Sequence, residues 1–87
     1  MMTTGEVREI LVRTLGDVAG VFDNGDIGPR LARGENLRIE ELEMESLAVL
    51  DWGLAIERET GLEVDTVELK AFNTLDELAA HLAKRTS

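Results

Sequence analysis

Ile39-Glu40-Glu41-Leu42-Glu43-Met44-Glu45-Ser46-Leu47 is the stretch on which the fold turns. A helix-length segment follows Ser46 and stops at Glu59-Thr60-Gly61, with Gly61 placed to close it as the glycine after the last turn. A serine that opens such a helix has an exposed hydroxyl. It also lies at the positive end of the helix dipole, where an incoming phosphate is favoured. Taken alone, Ser46 reads first as an N-cap, the commonest role for serine at that place. The rest of the chain decides between a cap and an attachment point for a phosphate-linked group.

The segment after Ser46 carries two apolar stripes. At roughly 100° per residue, Val49, Trp52 and Ile56 fall on one side, and Leu47, Leu50 and Leu54 fall on nearly the opposite side. A surface helix needs only one stripe. Asp51, Arg58 and Glu57 border the leucine stripe, and a fully buried helix does not carry charges there. Val49, Trp52 and Ile56 are therefore expected in the core, and Leu47, Leu50 and Leu54 at least partly on a docking face. Ser46 sits at the N-terminal end, beside that face.

Upstream, Thr3 and Glu6 have capping-box spacing. Val7, Ile10, Leu11 and Val18 recur at helical intervals with Thr14 on the same face, which predicts a first helix over about 5–19. Residues 20–45 read as a long loop, marked by Gly20, Asn24-Gly25, Gly28-Pro29 and Gly34. Its length is unusual for a structureless connection, so a short helical turn within it is expected. Asp23, Asn24 and Asp26 do not make a calcium loop: Gly25 and Ile27 stand where oxygen ligands are needed, and no Glu lies at the twelfth position. Arg30 and Arg33 read as solvated loop charges.

The second helix is expected over about 46–59 and a short third one over about 65–71, within an apolar run of Leu62, Val64, Val67, Leu69 and Phe72. Asn73 or Thr74 then caps a last helix over about 74–84. Its core stripe is Leu75, Leu78, Ala79 and Leu82, with His81 in solvent and Lys84 and Arg85 favourable at its C-terminus.

Composition narrows the classes. Eighty-seven residues make a single domain with a small core, and two Phe, one Trp and no Tyr leave that core to aliphatic side chains. The fold class predicted is all-α, a small bundle of three long helices and one short one. With no Cys and one His, disulfides, thiolate nucleophiles, zinc-finger spacing and histidine-clustered metal sites are excluded; no metal is expected. No apolar run is long enough to cross a membrane or to serve as a signal peptide, so a soluble, cytoplasmic, monomeric protein is expected. Between Ile39 and Glu68 stand Glu40, Glu41, Glu43, Glu45, Asp51, Glu57, Glu59, Glu63, Asp65 and Glu68 against Arg58 alone, so this segment holds the whole net charge of −9. Nucleic acid is an unsuitable partner for such a surface, and a protein with a basic patch is a suitable one. Ser46 lacks a His base and an oxyanion partner, so no enzyme is expected.

Long helices around a short third one, a long first loop and an acidic serine helix together resemble an acyl carrier protein, most clearly from Leu42 to Leu82. The family's usual Leu-Gly-x-Asp-Ser-Leu signature reads here Leu42-Glu43-Met44-Glu45-Ser46-Leu47. Ala55-Ile56-Glu57-Arg58-Glu59 is similar to the end of its second helix, Gly61-Leu62-Glu63-Val64-Asp65 to the following turn, and Phe72-Asn73-Thr74-Leu75 to the start of its last helix.

The resemblance implies that Ser46 bears 4′-phosphopantetheine, covalently attached from coenzyme A by a phosphopantetheinyl transferase with Mg²⁺ in that enzyme. The thiol of the arm then carries acyl groups as thioesters, which suits a chain without cysteine. Implied partners are that transferase, an acyl-loading acyltransferase or ligase, and a ketosynthase or other acyl-processing enzymes with basic docking patches. Glu45, Asp51 and Glu57 match the family's acidic recognition positions, and Leu47, Leu50 and Leu54 its apolar contact positions.

Departures are several. Glu43 replaces the usual glycine and Glu45 the usual aspartate. Ala48 and Arg58 stand where many fatty-acid carriers have acids. Gly53 interrupts the second helix, where it would permit close approach. Trp52 reads as core filling, or as filling space that would otherwise hold a long acyl chain. These point to polyketide or related natural-product assembly rather than to general fatty-acid synthesis. The alternatives are an aminoacyl or peptidyl-type carrier loaded by an adenylating ligase, and an unmodified acidic helical adaptor. The two initial methionines and capped ends suggest a free-standing protein.

Overall fold

The computed structural model describes residues 2–18 and 26–86. Among them run α1 (Thr4–Leu15), α2 (Ile27–Ala32), a 3₁₀ turn (Ile39–Leu42), α3 (Ser46–Thr60), α4 (Thr66–Lys70) and α5 (Leu75–Arg85). The expected all-α bundle is present, with α1, α3 and α5 as its long members.

Local chemistry sets each start. Thr3 Oγ1 accepts from the Glu6 N–H, and Glu6 Oε1 accepts from the Thr3 N–H, which closes the capping box of α1. Asp65 caps α4 and Thr74 caps α5, each by accepting from the N–H three residues on. Gly61 takes φ 77° at the end of α3, a left-handed conformation that costs a glycine nothing.

The first helix is shorter than its periodicity predicts. After Leu15 the bonds tighten to i→i−3, with Gly16, Asp17 and Val18 N–H donating to Arg13, Thr14 and Leu15 carbonyls. The extra rotation still brings Val18 into the core, so the apolar pattern outlasts the α-helix. Ala19, Val21, Phe22 and the Asn24-Gly25 turn lie outside the described residues.

The long loop is more ordered than its glycines suggest. Ile27 and Leu31, four residues apart, are both buried, and that anchors α2. Pro29 sits in the first turn, where N–H groups have no intrahelical acceptor, so its missing donor costs little. Arg30 is not a solvated loop charge. It is half-buried and bridges Glu35 and Glu41, both at 3.2 Å, so it ties the end of α2 to the 3₁₀ turn. Arg33 remains at the surface on Glu35. The loop is also laced to the start of α5: Ile39 N–H donates to Asn73 O and Leu75 N–H to Leu37 O around an isolated Arg38–Thr74 bridge.

The core is aliphatic except for Trp52 and Thr14. Val7, Leu11 and Leu15 of α1, Val49, Trp52 and Ile56 of α3, Leu69 of α4, and Leu78, Ala79 and Leu82 of α5 meet in it. Val67 stays out of it, fully at the surface, contrary to its place in the predicted apolar run. His81 is likewise not free in solvent. Its Nε2 lies 2.6 Å from Glu68 Oε2, its ring stacks on Phe72 with centroids 4.7 Å apart, and Arg85 also holds Glu68. This cluster clamps short α4 onto α5.

Candidate functional site

Glu45 is extended at φ −71°, ψ 163°, and from it the chain turns into α3 with Ser46 as the first helical residue. Ser46 is thus not the cap. Its hydroxyl is exposed and makes no hydrogen bond among the described residues. Glu45 makes no capping bond with its side chain either. The first-turn N–H groups of a 15-residue helix therefore remain available beside an unengaged hydroxyl.

Around Ser46 the sequence-predicted residues divide as the two stripes require. Val49, Trp52 and Ile56 are buried, whereas Leu47, Leu50 and Leu54 are 69%, 48% and 51% exposed. Leu50 and Leu54 follow Ser46 at four-residue steps, so all three run along one side of α3. Glu45 and Asp51 are exposed and Glu57 is half-buried. None of these three acids has an ion pair among the described residues, while Glu35, Glu41, Glu59 and Glu68 are all neutralised by arginines. Arg58 is exposed at the far end of the same helix.

Two buried contacts fix α3. The Trp52 indole Nε1 donates to Thr14 Oγ1 at 3.0 Å and approaches Leu11 O at 3.3 Å, which pins α3 to α1. On another side, a Cβ at Gly53 would meet Val64 O at 2.7 Å, so only glycine lets the chain after Gly61 lie this close. The close approach expected of Gly53 is real.

Sequence reasoning missed a cleft of about 380 Å³ that opens beside the start of α3. Glu43 and Met44 line it before Ser46, and Val49 one turn after. Trp52, Leu69 and Phe72 are among its apolar lining, and Arg38 and Lys70 among its polar lining. The signal available was Met44 and Phe72, two apolar residues bracketing acidic and polar loops. Glu43 adopts φ 50°, ψ 40°, a left-handed conformation uncommon for a residue with a Cβ. It is here that the resembling signature has glycine.

Electrostatics outside the site serve the scaffold. The Arg38 N–H and then the Arg30 guanidinium hold the Glu41 carboxyl below its usual range, and Arg33 and then Arg30 do the same for Glu35. Among the described residues no group of three or more His, Asp or Glu could hold a metal ion, and no helix is long and apolar enough to cross a membrane.

Comparison with known proteins gives one family. The sequence profile described as "Phosphopantetheine attachment site" matches residues 6–82, nearly the whole chain. Among curated proteins and solved structures, none matches. The residues present suit such a group: an exposed hydroxyl, unengaged among the described residues, stands at the first residue of a long helix whose leading N–H groups the Glu45 side chain does not satisfy. Members of this family are carriers and not catalysts. The chain belongs to the phosphopantetheine attachment site family, the carrier proteins among which the acyl carrier proteins fall, and its prosthetic group is 4′-phosphopantetheine.

Proposed function

We propose that Ser46 is the residue that bears the prosthetic group, and that the chain presents acyl intermediates to successive enzymes of a polyketide or related natural-product pathway. The observation that carries this reading is the Ser46 hydroxyl, exposed and without a hydrogen-bond partner among the described residues at the head of α3. In attachment, Ser46 Oγ bonds to the phosphorus of the pantetheine phosphate of coenzyme A. The pyrophosphate bond breaks, adenosine 3′,5′-bisphosphate leaves, and the hydroxyl proton passes to a base of the transferase. When bound, the arm supplies a thiol that holds the acyl group as a thioester. The leaning toward natural-product assembly rests on Glu43, Ala48 and Arg58, which depart from the pattern of many fatty-acid carriers.

Leu47, Leu50 and Leu54 form the apolar docking strip, and the acids Glu45, Asp51 and Glu57, without an ion pair among the described residues, steer basic partners toward it. Such docking is salt-dependent, because exposed charges are screened beyond about 8–10 Å at physiological ionic strength.

The test is intact-protein mass before and after incubation with coenzyme A, Mg²⁺ and a broad-specificity phosphopantetheinyl transferase, with Ser46→Ala alongside. A gain of one phosphopantetheine on the wild type and none on the variant supports the assignment. Equal gain on both removes Ser46 from the role. In the same assay Asp51→Lys lowers kcat/KM for the transferase by about tenfold at low salt, and added salt narrows the difference. A salt-independent difference contradicts electrostatic steering.

A further inference from the structure

We propose that Arg58 sets partner choice on the docking face of α3: it selects an enzyme whose patch carries an acid about 10 Å beyond the base that meets Asp51, and it disfavours a patch that is basic throughout. The inference rests on the reading of Leu47, Leu50 and Leu54 as the docking strip and adds the charge pattern of the partner to it.

Asp51 and Arg58 stand two helical turns apart on the same border of that strip, and both are exposed. Glu57 lies on the other border, the side of Ser46. The strip is therefore flanked by an acid midway and, at its far end, by one charge of each sign on opposite borders.

Nothing within the described residues uses Arg58. It is the sole base from Ile39 to Glu68. The positions three and four residues away are Leu54, Ala55, Gly61 and Leu62, so no acid faces it along the helix. Its neighbour Glu59 is taken by Arg13 of α1 at 2.6 Å. Among the described residues Arg58 has no ion pair or hydrogen bond, whereas Arg8, Arg13, Arg30, Arg33, Arg38 and Arg85 each have one. A base in the last turn also suits the helix dipole. Here, however, Glu57 and Glu59 share that turn and leave it net negative, so the dipole gives no reason for a base on the border of the leucines.

A patch that is basic along its whole length sets like charge against Arg58, which costs affinity and removes wrong partners. A patch with a base against Asp51 and an acid against Arg58 meets two opposite charges. It also fits in one direction only, with the base toward Ser46. Arg58 is a specificity-determining residue, with no part in chemistry.

The probes are a ketosynthase whose docking patch is basic throughout and the same enzyme with the patch base furthest from its active-site entrance reversed to Glu. Each is titrated into isotope-labelled, unmodified protein, and Kd is read from the amide shifts at low and high salt for wild type, Arg58→Glu and Arg58→Lys. Wild type and Arg58→Lys are expected to bind the reversed enzyme about tenfold more tightly than the original at low salt, and Arg58→Glu to invert that order. Added salt narrows both differences. The same order for wild type and Arg58→Glu, a salt-independent difference, or no binding of wild type to the reversed enzyme overturns the proposal. A lower thermal midpoint for Arg58→Glu with the order unchanged assigns Arg58 to the helix end and overturns it as well. Shifts that miss Leu47, Leu50 and Leu54 sink the docking strip itself, and so the two failures are distinguishable.

Discussion

The Trp52 indole N–H on α3 donates to Thr14 Oγ1 on α1 across 3.0 Å, and both side chains are sealed from water. Thr14 is the one buried polar side chain among the described core residues, and its hydroxyl is fully used, accepting from Trp52 and donating to Ile10 O. The pair fixes the helix that Ser46 opens. Thr14→Val keeps the shape and removes the acceptor, leaving the indole only Leu11 O at 3.3 Å. The expected loss is about 1–2 kcal/mol. Trp52→Phe removes the donor and leaves a void, for an expected loss of about 2–3 kcal/mol. Denaturant unfolding of both singles and the double checks this, and the double should lose less than the sum because the two share one bond.

Gly53→Ala sets two effects against each other. Helix propensity alone favours alanine by about 1 kcal/mol. The new Cβ, however, would stand 2.7 Å from the Val64 carbonyl oxygen, a backbone atom that cannot rotate away. Overpacking of this kind costs about 1–3 kcal/mol, so the clash wins and the variant is less stable. A thermal midpoint above wild type would show that the segment at Val64 moves freely.

Glu43 is the opposite case. It holds φ 50°, ψ 40°, which costs a residue with a Cβ about 1 kcal/mol relative to glycine. Glu43→Gly releases backbone strain of roughly that amount, set against whatever the Glu43 side chain contributes; Glu43→Ala beside it in chemical denaturation at neutral pH separates the two, and Gly is expected to be the more stable of the pair. Strained backbone beside a functional residue is a common place for stability to be sacrificed.

The pH dependence of folding follows from Glu41 and Glu35, whose carboxyls are held below the usual range by Arg38 and Arg30, and by Arg33 and Arg30, respectively. A carboxyl lowered in the folded state contributes stability that is fully present above its unfolded value, near about 4.3. That contribution is lost as pH falls through the lower folded value. Glu41→Gln is therefore less stable than wild type at neutral pH, and the gap closes in acid. Thermal midpoints from pH 7 down to pH 3 test it; a gap that widens in acid reverses the sign.

The fold was legible wherever apolar spacing is tied to one face. Val7, Ile10, Leu11 and Thr14, the two stripes of α3, and the capping residues Thr3 and Thr74 all lie where their spacing places them. What was hidden depends on contacts between residues far apart in the chain. Arg30 finds Glu41, His81 finds Glu68, and the Trp52 N–H finds Thr14; no local pattern encodes these partners. Gly28 and Pro29 mark a loop in the sequence but are also tolerated in the first turn of a helix, and α2, the short helical turn that the loop's length called for, uses them there. At the site, the exposure of Leu47, Leu50 and Leu54 was readable from periodicity, but the cleft was not. A cavity is made by what several elements fail to fill, which no single stretch records.

Peptide mapping of the transferase-loaded protein by tandem mass spectrometry tests the central claim most directly. Several threonines also offer hydroxyls, so a mass gain alone does not identify the site. The phosphopantetheine is expected on Ser46, in the peptide that carries Met44-Glu45-Ser46-Leu47. An unmodified Ser46 in fully loaded protein, with the group on another hydroxyl, would contradict it.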